Sequence, residues 1–325
     1  MAKSEDNLSP RIEDKLRQIM QKSTSPLIIS HLRGGLGNQL FQWAFATHLS
    51  FITGSELSFS WDLHNGNRET TRAASLTRLG LDVGFRMSQT DTVAESEDFR
   101  TWFKPWGPLR EWWFTSPIRD SAILGEPKSV ESVLSNKRIW HHKVLHLVGY
   151  YQNEALTADG SKNLKKALLE GLRNCGAGIE RPTAQAVVHV RRGDYVNRSR
   201  DSGFSALPAA YYFRAMARLR DFHGVNTFHV VSDDLDWVQN ELCNRDFDLI
   251  PIRTQGSLAE FQDFAIMMSA DYLVVSNSSF SRAASHFGGQ TTEGRTIAPL
   301  NWGAEGSLYS KIRPNLNAPS TWVRV

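Results

Sequence analysis

Cysteines and long apolar runs are both scarce in this chain. Its two cysteines, Cys175 and Cys243, form no Cys-x-x-Cys pair, so neither a disulfide framework nor a structural zinc site is indicated. No stretch approaches the roughly 20 apolar residues of a membrane span, and the N-terminus lacks the apolar core of a signal peptide. We therefore expect a cytoplasmic protein in a reducing compartment, with peripheral contact to the inner face of a membrane as an open alternative.

Charge is not concentrated anywhere in the sequence either. There is no long run of Lys or Arg, which argues against nucleic acid as a partner. The formal net charge of +3 over 325 residues suits a small anionic ligand or a negatively charged membrane surface. Ten tryptophans offer aromatic faces for sugars or bases, although most tryptophans are core residues. Nothing in the composition indicates an oligomeric state.

The spacing of apolar residues predicts an α/β protein. Residues 1–24 form a polar N-terminal segment, and we expect one domain over 25–165 and another over 166–325. Strands and helices alternate in the second half, which favours a parallel, doubly wound sheet. The predicted strands are 186–190, 227–232, 249–252 and 272–275, and the predicted helices are Ala209–Phe222, one from Asp236, 257–269 and one after Ser279. Residues 62–145 have a weaker pattern, which predicts irregular structure with short helices.

A glycine turn follows the first predicted strand, Leu27–His31. The sequence GGLG at 34–37 lets the backbone turn tightly or approach a ligand closely. Asn38 and Gln39 add amides suited to sugar hydroxyls, and a helix is predicted to follow. A nicotinamide-dinucleotide fingerprint would have a third glycine at position 40, which is Leu40, so that interpretation is weak.

The segment AVVHVRRGDY at 186–195 begins as a buried strand and ends in charged residues. In an open α/β sheet, ligands bind at the C-terminal ends of strands. Arg191 and Arg192 are fixed cations whose forked donors suit phosphate oxygens. Asp194 is close enough in sequence to act as a base or to hold one arginine, and His189 shares a strand face with Arg191. The alternative is a structural ion pair at a strand end.

Another predicted strand runs into a cluster of hydroxyl groups, VVSNSSFS at 274–281. The free amides and the dipole of the following helix suit such a turn to a diphosphate. An ordinary helix cap by Ser278 or Ser279 is the alternative, and it explains one serine but not the cluster.

Acidic residues and histidines mark further candidate positions. Asp263 is predicted at the start of its helix, where its carboxylate could accept two hydrogen bonds from guanine; a solvated aspartate is the alternative. Asp234-Leu235-Asp236 matches the Asp-x-Asp of metal-dependent glycosyltransferases. However, Ser232–Asp234 is also typical of a strand-end turn that caps the next helix. His142 and His146 lack the Glu of a His-Glu-x-x-His zinc motif, so we expect no metal.

Taken together, five motifs resemble the α-1,2-fucosyltransferases, the eleventh glycosyltransferase family. The motifs are GGLGNQLFQWA at 34–44, GYYQ at 149–152, HVRRGDY at 189–195, SDD at 232–234 and SNSSFS at 276–281. Their order and spacing span nearly the whole chain, and the combination is specific although each motif alone is not.

The resemblance implies a fold and an activity. The fold would be of the GT-B type, with two Rossmann-like domains facing a cleft: an acceptor-side domain at 25–165 and a GDP-fucose-binding domain at 166–325. The enzyme would transfer L-fucose from GDP-β-L-fucose, with inversion, to the 2-hydroxyl of a terminal galactose in an oligosaccharide. It would need no cofactor and no metal.

The resemblance also implies roles for particular residues. Arg191 would bind the β-phosphate. The other donor-side residues would be His189, Arg192, Asp263, Ser278, Ser279 and Phe280, and the acceptor side would use Gly35, Asn38, Gln39, Tyr150 and Gln152. We hypothesise that Asp194 is the catalytic base, because it is the carboxylate nearest Arg191 in sequence; a structural pair with Arg192 is the alternative. After SNSSFS the chain has Arg282-Ala283, where the family commonly has two aromatics.

Two other classes of function remain open from the sequence. One is a non-catalytic glycan-binding protein that keeps the same fold. The other is a dinucleotide-dependent enzyme, such as a dehydrogenase, against which the missing third glycine argues.

Overall fold

Two β-sheets, each in its own unit, organise the chain. The computed structural model describes residues 26–61, 75–81, 113–116, 121–125, 127–178, 185–196, 205–243, 246–288, 293–303 and 318–325. The first unit takes its described residues from Met1–Gly34, Gln39–Ala74 and Asp82–Gly160, and the second takes them from Gly35–Asn38, Ser75–Leu81 and Ser161–Val325. The predicted N-terminal segment, 1–24, lies outside the described residues.

The first unit contains a five-stranded sheet. In chain order the first half has β1 (Leu27–Leu32), α1 (Leu36–Thr53), β2 (Leu57–Trp61), α2 (Ser75–Arg78), β3 (Trp113–Ser116), β4 (Ser121–Leu124), α3 (Val130–Ser135), a 3₁₀ turn (Ile139–His141), β5 (Val144–Leu147) and α4 (Glu154–Asn174). The strand order is β2-β1-β5-β4-β3. All neighbours are parallel except β3 and β4, which are antiparallel. The strands β3 and β4 lie where we predicted irregular structure, because such short strands are held by main-chain pairing and leave little apolar pattern.

The core of the first unit forms around α1. Its apolar side buries Leu40, Phe41 and Phe45, as the helical spacing predicts. Tyr151 completes this core: it is fully buried, its ring stacks on Phe45 at 4.3 Å between centroids, and its hydroxyl donates to the Leu124 carbonyl at 2.9 Å. The helix begins at Leu36 rather than after Gln39 as predicted, and Leu36 is itself fully buried.

The second unit contains a six-stranded, wholly parallel sheet. Its elements are β6 (Ala186–Val190), α5 (Gly193–Val196), α6 (Ala209–His223), β7 (Thr227–Ser232), α7 (Leu235–Trp237), a π-helix (Val238–Leu242), β8 (Asp248–Pro251), α8 (Ala259–Ser269), β9 (Tyr272–Val274), α9 (Ser279–Gly288), β10 (Thr296–Ala298) and β11 (Val323–Arg324). The order β11-β10-β9-β6-β7-β8 confirms the predicted doubly wound sheet. The chain therefore has two α/β units with largely parallel sheets, the components from which a GT-B fold is built.

Three local predictions for the second unit need correction. The helix expected from Asp236 is one α-helical turn followed by the π-helix, and the Asp234 side chain caps that turn by accepting from the Trp237 amide. Asp263 lies more than one turn into α8 rather than at its start, because the helix begins at Ala259. The short strands β10 and β11 were not predicted at all.

No helix in the described parts of the chain combines the length and the apolar character needed to cross a membrane.

Arg282 and Ala283, which replace two aromatics common in the resembling family, are both buried in α9. The Arg282 guanidinium carbon lies 5.3 Å from the centroid of the Trp302 ring and 5.9 Å from that of Trp322. A guanidinium at this distance from aromatic faces is attracted by the ring quadrupoles, and more strongly when it is desolvated. The aromatic surface missing from α9 is thus supplied by two tryptophans later in the chain.

We predict that Arg282→Ala lowers the free energy of unfolding by about 2 kcal/mol or more, because a desolvated cation–π contact and the packing of its side chain are both lost. Urea denaturation measures this. Arg220→Ala is the matched control: its guanidinium also lies 5.3 Å from a ring centroid, that of Phe247, but its side chain is 40% exposed and pairs with Asp221, so its loss should cost about 1 kcal/mol or less. Equal effects of the two substitutions would contradict the assignment.

Candidate active site

Three of the sequence motifs meet at one edge of the second sheet. The segments Arg191–Asp194, Ser232–Asp234 and Ser276–Ser281 follow the C-terminal ends of β6, β7 and β9, and β6 lies between the other two strands. The chain runs from β6 outward to β8 and then returns to β9 on the other side of β6. This reversal of strand order is the position at which open α/β sheets bind ligands.

His189 joins the ends of β6 and β9. It is buried, and its Nδ1 lies 2.8 Å from Ser276 Oγ. Burial lowers its pKa to about 3, and the charge of Arg191 contributes to this. The imidazole is therefore neutral near physiological pH and supports the strand ends on which Arg191 stands.

The two arginines form separate ion pairs. In the parallel register Val190 pairs with Ser232, and continuing that register brings position 191 beside 233 and position 192 beside 234. Arg191 Nη1 lies 2.6 Å from Asp233 Oδ2, and its Nη2 lies 2.5 Å from Asp194 Oδ1. Asp194 thus pairs with Arg191, and the ion pair at the strand end that we named as an alternative is present.

Arg192 turns to the other side of the strand end. Its Nε donates to Asp234 Oδ2 at 3.0 Å, and its guanidinium lies 4.2 Å from the centroid of the Trp237 ring. Asp234 Oδ1 accepts from the Trp237 amide at 3.0 Å, and the Asp234 amide donates to Ser232 Oγ at 2.9 Å. The SDD motif is thus the predicted strand-end turn that caps the next helix.

The serine cluster forms the start of α9. Ser278 is buried, and its hydroxyl accepts from the Phe280 amide at 3.3 Å, so Ser278 provides the predicted cap. Ser279 and Phe280 are half-buried. The Phe280 ring lies between those of His189 and Phe264, with centroid distances of 5.7 and 5.6 Å. These ring contacts fix the first turn of α9 against β6 and α8.

The glycine turn packs directly on this first turn of α9. A Cβ built on Gly37 would lie 2.7 Å from the Phe280 amide nitrogen and closer still to the Ser279 carbonyl. Both neighbours are backbone atoms, so no side-chain rotation could relieve the overlap. Gly35 and Asn38 lie in the same short segment, which belongs to the second unit. Two motifs separated by more than 200 residues are thereby in contact.

Asp263 lies on α8 and is half-buried. Its Oδ1 accepts from Thr254 Oγ1 at 2.7 Å. Burial raises the pKa of this carboxyl, the Thr254 hydrogen bond acts in the opposite direction, and the charge of Glu260 raises the pKa further. A partly desolvated carboxylate with one oriented oxygen suits recognition of paired N–H donors.

The predicted acceptor residues of the first unit lie near the end of β1. Gln39 is fully buried and donates to the Gly34 carbonyl at 2.9 Å, so its amide nitrogen supports the glycine turn. Tyr150 is half-buried, with the Arg33 guanidinium 4.8 Å from its ring centroid. Gln152 is also half-buried.

A pair of histidines lies on the neighbouring strands β1 and β5 of the first unit. His31 Nε2 and His146 Nδ1 are 2.9 Å apart. Burial lowers both pKa values, to about 3 for His31 and about 4 for His146. His146 is thus engaged with His31. Within the described ranges, no three His, Cys, Asp or Glu side chains gather as a metal site would require.

The sequence did not identify three residues that the structure places in this site: Ser276, Asp233 and Thr254. Ser276 and Asp233 lie inside the SNSSFS and SDD motifs, which was the available signal. Thr254 belongs to no motif, and its hydrogen bond to Asp263 could be recognised only from the structure.

Comparison with known proteins identifies the family. Residues 131–319 match the model of Glycosyl transferase family 11, which is more than half of the chain. The chain belongs to glycosyl transferase family 11. The matched region of this family 11 glycosyltransferase contains the three strand ends described above.

Relatives of this family 11 chain include an Escherichia coli protein named alpha-1,2-colitosyltransferase, which is 29% identical over 92% of this chain and 99% of that protein. A galactoside 2-alpha-L-fucosyltransferase SEC1 from Bos taurus is 25% identical over 90% of this chain and 72% of that protein. A solved structure of an Arabidopsis thaliana FUT1 mutant in complex with GDP covers 86% of this chain and 74% of that chain, with a TM-score of 0.45 and 11% identity. That score is too low to support any assignment of residues.

We predict that Gly37→Ala weakens GDP binding about 10-fold or more, because the added methyl displaces the start of α9. Calorimetric titration with GDP measures this. Gly80→Ala is the control: Gly80 has a φ of +64° and open space around it, so the substitution strains the backbone without touching α9. If both variants bind GDP equally well, the contact has no part in nucleotide binding.

Proposed function

We propose that this chain is an inverting α-1,2-fucosyltransferase that moves L-fucose from GDP-β-L-fucose to the 2-hydroxyl of a terminal galactose in an oligosaccharide. The observation that supports this most strongly is the convergence of Arg191, the SDD turn and the start of α9 at the switch point of a parallel sheet. The family supplies the class of reaction, and the relatives named as α-1,2-fucosyltransferases support the sugar and the linkage.

A nucleoside diphosphate fits the charge at this edge. The guanidinium of Arg191 offers N–H groups in a fork that matches phosphate oxygens. The start of α9 adds backbone amides and the positive end of a helix dipole. Arg191 is held by Asp233, and the start of α9 is held by the ring contacts of Phe280 with His189 and Phe264. Both donors are thus in place before the ligand arrives, so little reorganisation is needed when charge develops on the leaving diphosphate.

We propose that the nucleobase of the donor is guanine and that Asp263 recognises it. Thr254 donates to one carboxylate oxygen, which fixes the side chain while the other oxygen stays available. An ionised carboxylate offers two acceptor oxygens and no donor, and the guanine N1 and N2 groups are adjacent donors that match its two oxygens. Adenine lacks that pair of donors on the same edge.

Inversion at C1 of fucose follows from a single displacement. The galactose 2-hydroxyl attacks C1 as the bond from C1 to the diphosphate oxygen breaks, and the electron pair of that bond leaves with GDP. Arg191 offsets the new charge on the β-phosphate, and Asp194 accepts the proton of the attacking hydroxyl. Gln39, predicted on the acceptor side, is fully buried and supports the glycine turn, so we do not propose that it contacts the acceptor.

We also propose that the reaction needs no metal. Both oxygens of Asp234 already accept hydrogen bonds, from the Trp237 amide and from Arg192 Nε, so Asp234, the first residue of the Asp-x-Asp match, is engaged within the protein. Arg191 and the helix dipole supply the positive charge instead. The cytoplasmic location and the alternative of peripheral membrane contact stay predictions.

A second candidate donor is the corresponding GDP-linked colitose. It is favoured by the relative named alpha-1,2-colitosyltransferase, at 29% identity. Colitose is L-fucose without the hydroxyl at C3. Comparing the two donors therefore tests whether the site forms a hydrogen bond with that hydroxyl. A site that hydrogen-bonds a substrate hydroxyl rejects the analogue lacking it by about 10⁴-fold, whereas an apolar pocket rejects an added hydroxyl by only about 100-fold.

We predict that the protein, treated with EDTA, converts GDP-fucose and a galactose-terminated acceptor such as lactose into an α-1,2-fucosylated product. GDP release and product analysis measure this, with GDP-colitose as the competing donor and Arg191→Ala as the inactive control. The proposal expects kcat/KM for GDP-fucose to exceed that for GDP-colitose by about 10⁴-fold.

Each contrary result has a distinct meaning. A preference for GDP-colitose would replace the donor but keep the family reaction. Glycan binding without GDP release would favour a non-catalytic glycan-binding protein. A thermal shift with NAD and none with GDP would favour a dinucleotide-dependent enzyme.

We predict that Asp194→Asn lowers kcat about 100-fold or more while GDP affinity is retained, because general-base catalysis contributes at least that factor. Steady-state kinetics together with GDP titration separate the two effects. Near-normal turnover in this variant would remove Asp194 from the role of base.

A further inference from the structure

Arg191 is held by two carboxylates that reach it from different parts of the chain. Asp233 comes from the end of the neighbouring strand β7, and Asp194 comes from the turn that Arg191 itself begins. Each carboxylate occupies a different terminal nitrogen of the guanidinium. Each terminal nitrogen has two N–H groups, so a phosphate displaces a carboxylate only where it takes the N–H group that this carboxylate holds.

Asp233 has a second anchor at the end of β6. Its Oδ1 accepts from the backbone amide of Arg192 at 2.8 Å, while its Oδ2 holds Arg191 Nη1 at 2.6 Å. Moving this carboxylate would break its hydrogen bond with the Arg192 amide as well as its ion pair with Arg191. Asp194 is the more solvated of the two, with a side chain 39% exposed against 28% for Asp233, so water replaces its contact with Arg191 more readily.

Gly193 makes room for the anchored carboxylate. A Cβ on Gly193 would lie 2.6 Å from Asp233 Oδ2, the same oxygen that holds Arg191. A side chain at 193 would therefore push this oxygen away from the guanidinium. The glycine of the RRGD sequence is explained by this contact with Asp233.

We infer that Asp233 is the positioning residue for Arg191, and that Asp194 is the partner that yields when a diphosphate binds. Asp233 keeps Nη1 fixed, and the β-phosphate takes the Nη2 side from Asp194. The displaced Asp194 carboxylate is then released next to the reacting sugar, where the proposed mechanism requires a base. This inference rests on the proposed function, because it assumes a nucleoside diphosphate at Arg191.

The test compares two substitutions that remove the same charge. Asp233→Asn and Asp194→Asn each delete one negative charge beside one guanidinium, so the simple electrostatic gain for an anion is matched. The measurement is the ratio of GDP to GMP affinity by calorimetric titration, since GMP lacks the β-phosphate. A general loss of structure weakens both nucleotides and leaves this ratio unchanged.

We predict that Asp233→Asn lowers the GDP-to-GMP affinity ratio about 10-fold, the effect of losing one well-placed charged hydrogen bond. Asp194→Asn should keep or raise the ratio. In Gly193→Ala the added methyl displaces the same oxygen of Asp233, so this variant should also lower the GDP-to-GMP affinity ratio. It provides a second measurement if Asp233→Asn does not fold.

Three results would overturn the inference. One is a ratio unchanged in both Asp233→Asn and Gly193→Ala. Another is an equal fall in Asp194→Asn, which would make the two carboxylates equivalent. The third is a wild-type protein that binds GDP no better than GMP, and this alone would also overturn the proposed function.

Discussion

The ion pairs between the ends of β6 and β7 are the constraint on which the rest of the site depends. Parallel pairing of the two strands continues past Val190 and Ser232, and it places two arginines beside two aspartates. Without Asp233 and Asp194, the Arg191 side chain would be free to sample many rotamers. With them, a cation stands at a fixed place on the sheet edge, and the helix dipole of α9 adds to the positive potential there.

The groups that join the end of β6 to the end of β9 carry no charge. His189 is kept neutral by burial, the SNSSFS segment offers hydroxyls and amides, and Gly37 brings a side-chain-free backbone against Ser279 and Phe280. Besides Arg191 and the start of α9, the strand end holds the positive charge of Arg192, which is paired with Asp234.

The sequence predicts some of these features because they are local. The run AVVHV is buried at every position, as its apolar character indicates, and the strand-end turn at Ser232–Asp234 follows from its residue types. The contact between Arg191 and Asp233 is different, because it spans 42 residues and requires β6 and β7 to be neighbours. Alternation of strands and helices specifies a parallel sheet but not the order of its strands. For the same reason, neither the contact of Gly37 with α9 nor the packing of Arg282 on Trp302 and Trp322 could be read from the sequence.

A crystal structure of the protein with GDP tests the central claim most directly. The account predicts a β-phosphate oxygen within roughly 3 Å of Arg191 and of an amide at the start of α9, with the contact between Arg191 and Asp233 kept. A GDP bound elsewhere, or a diphosphate that faces Arg192 while Arg191 stays paired with both aspartates, would contradict it.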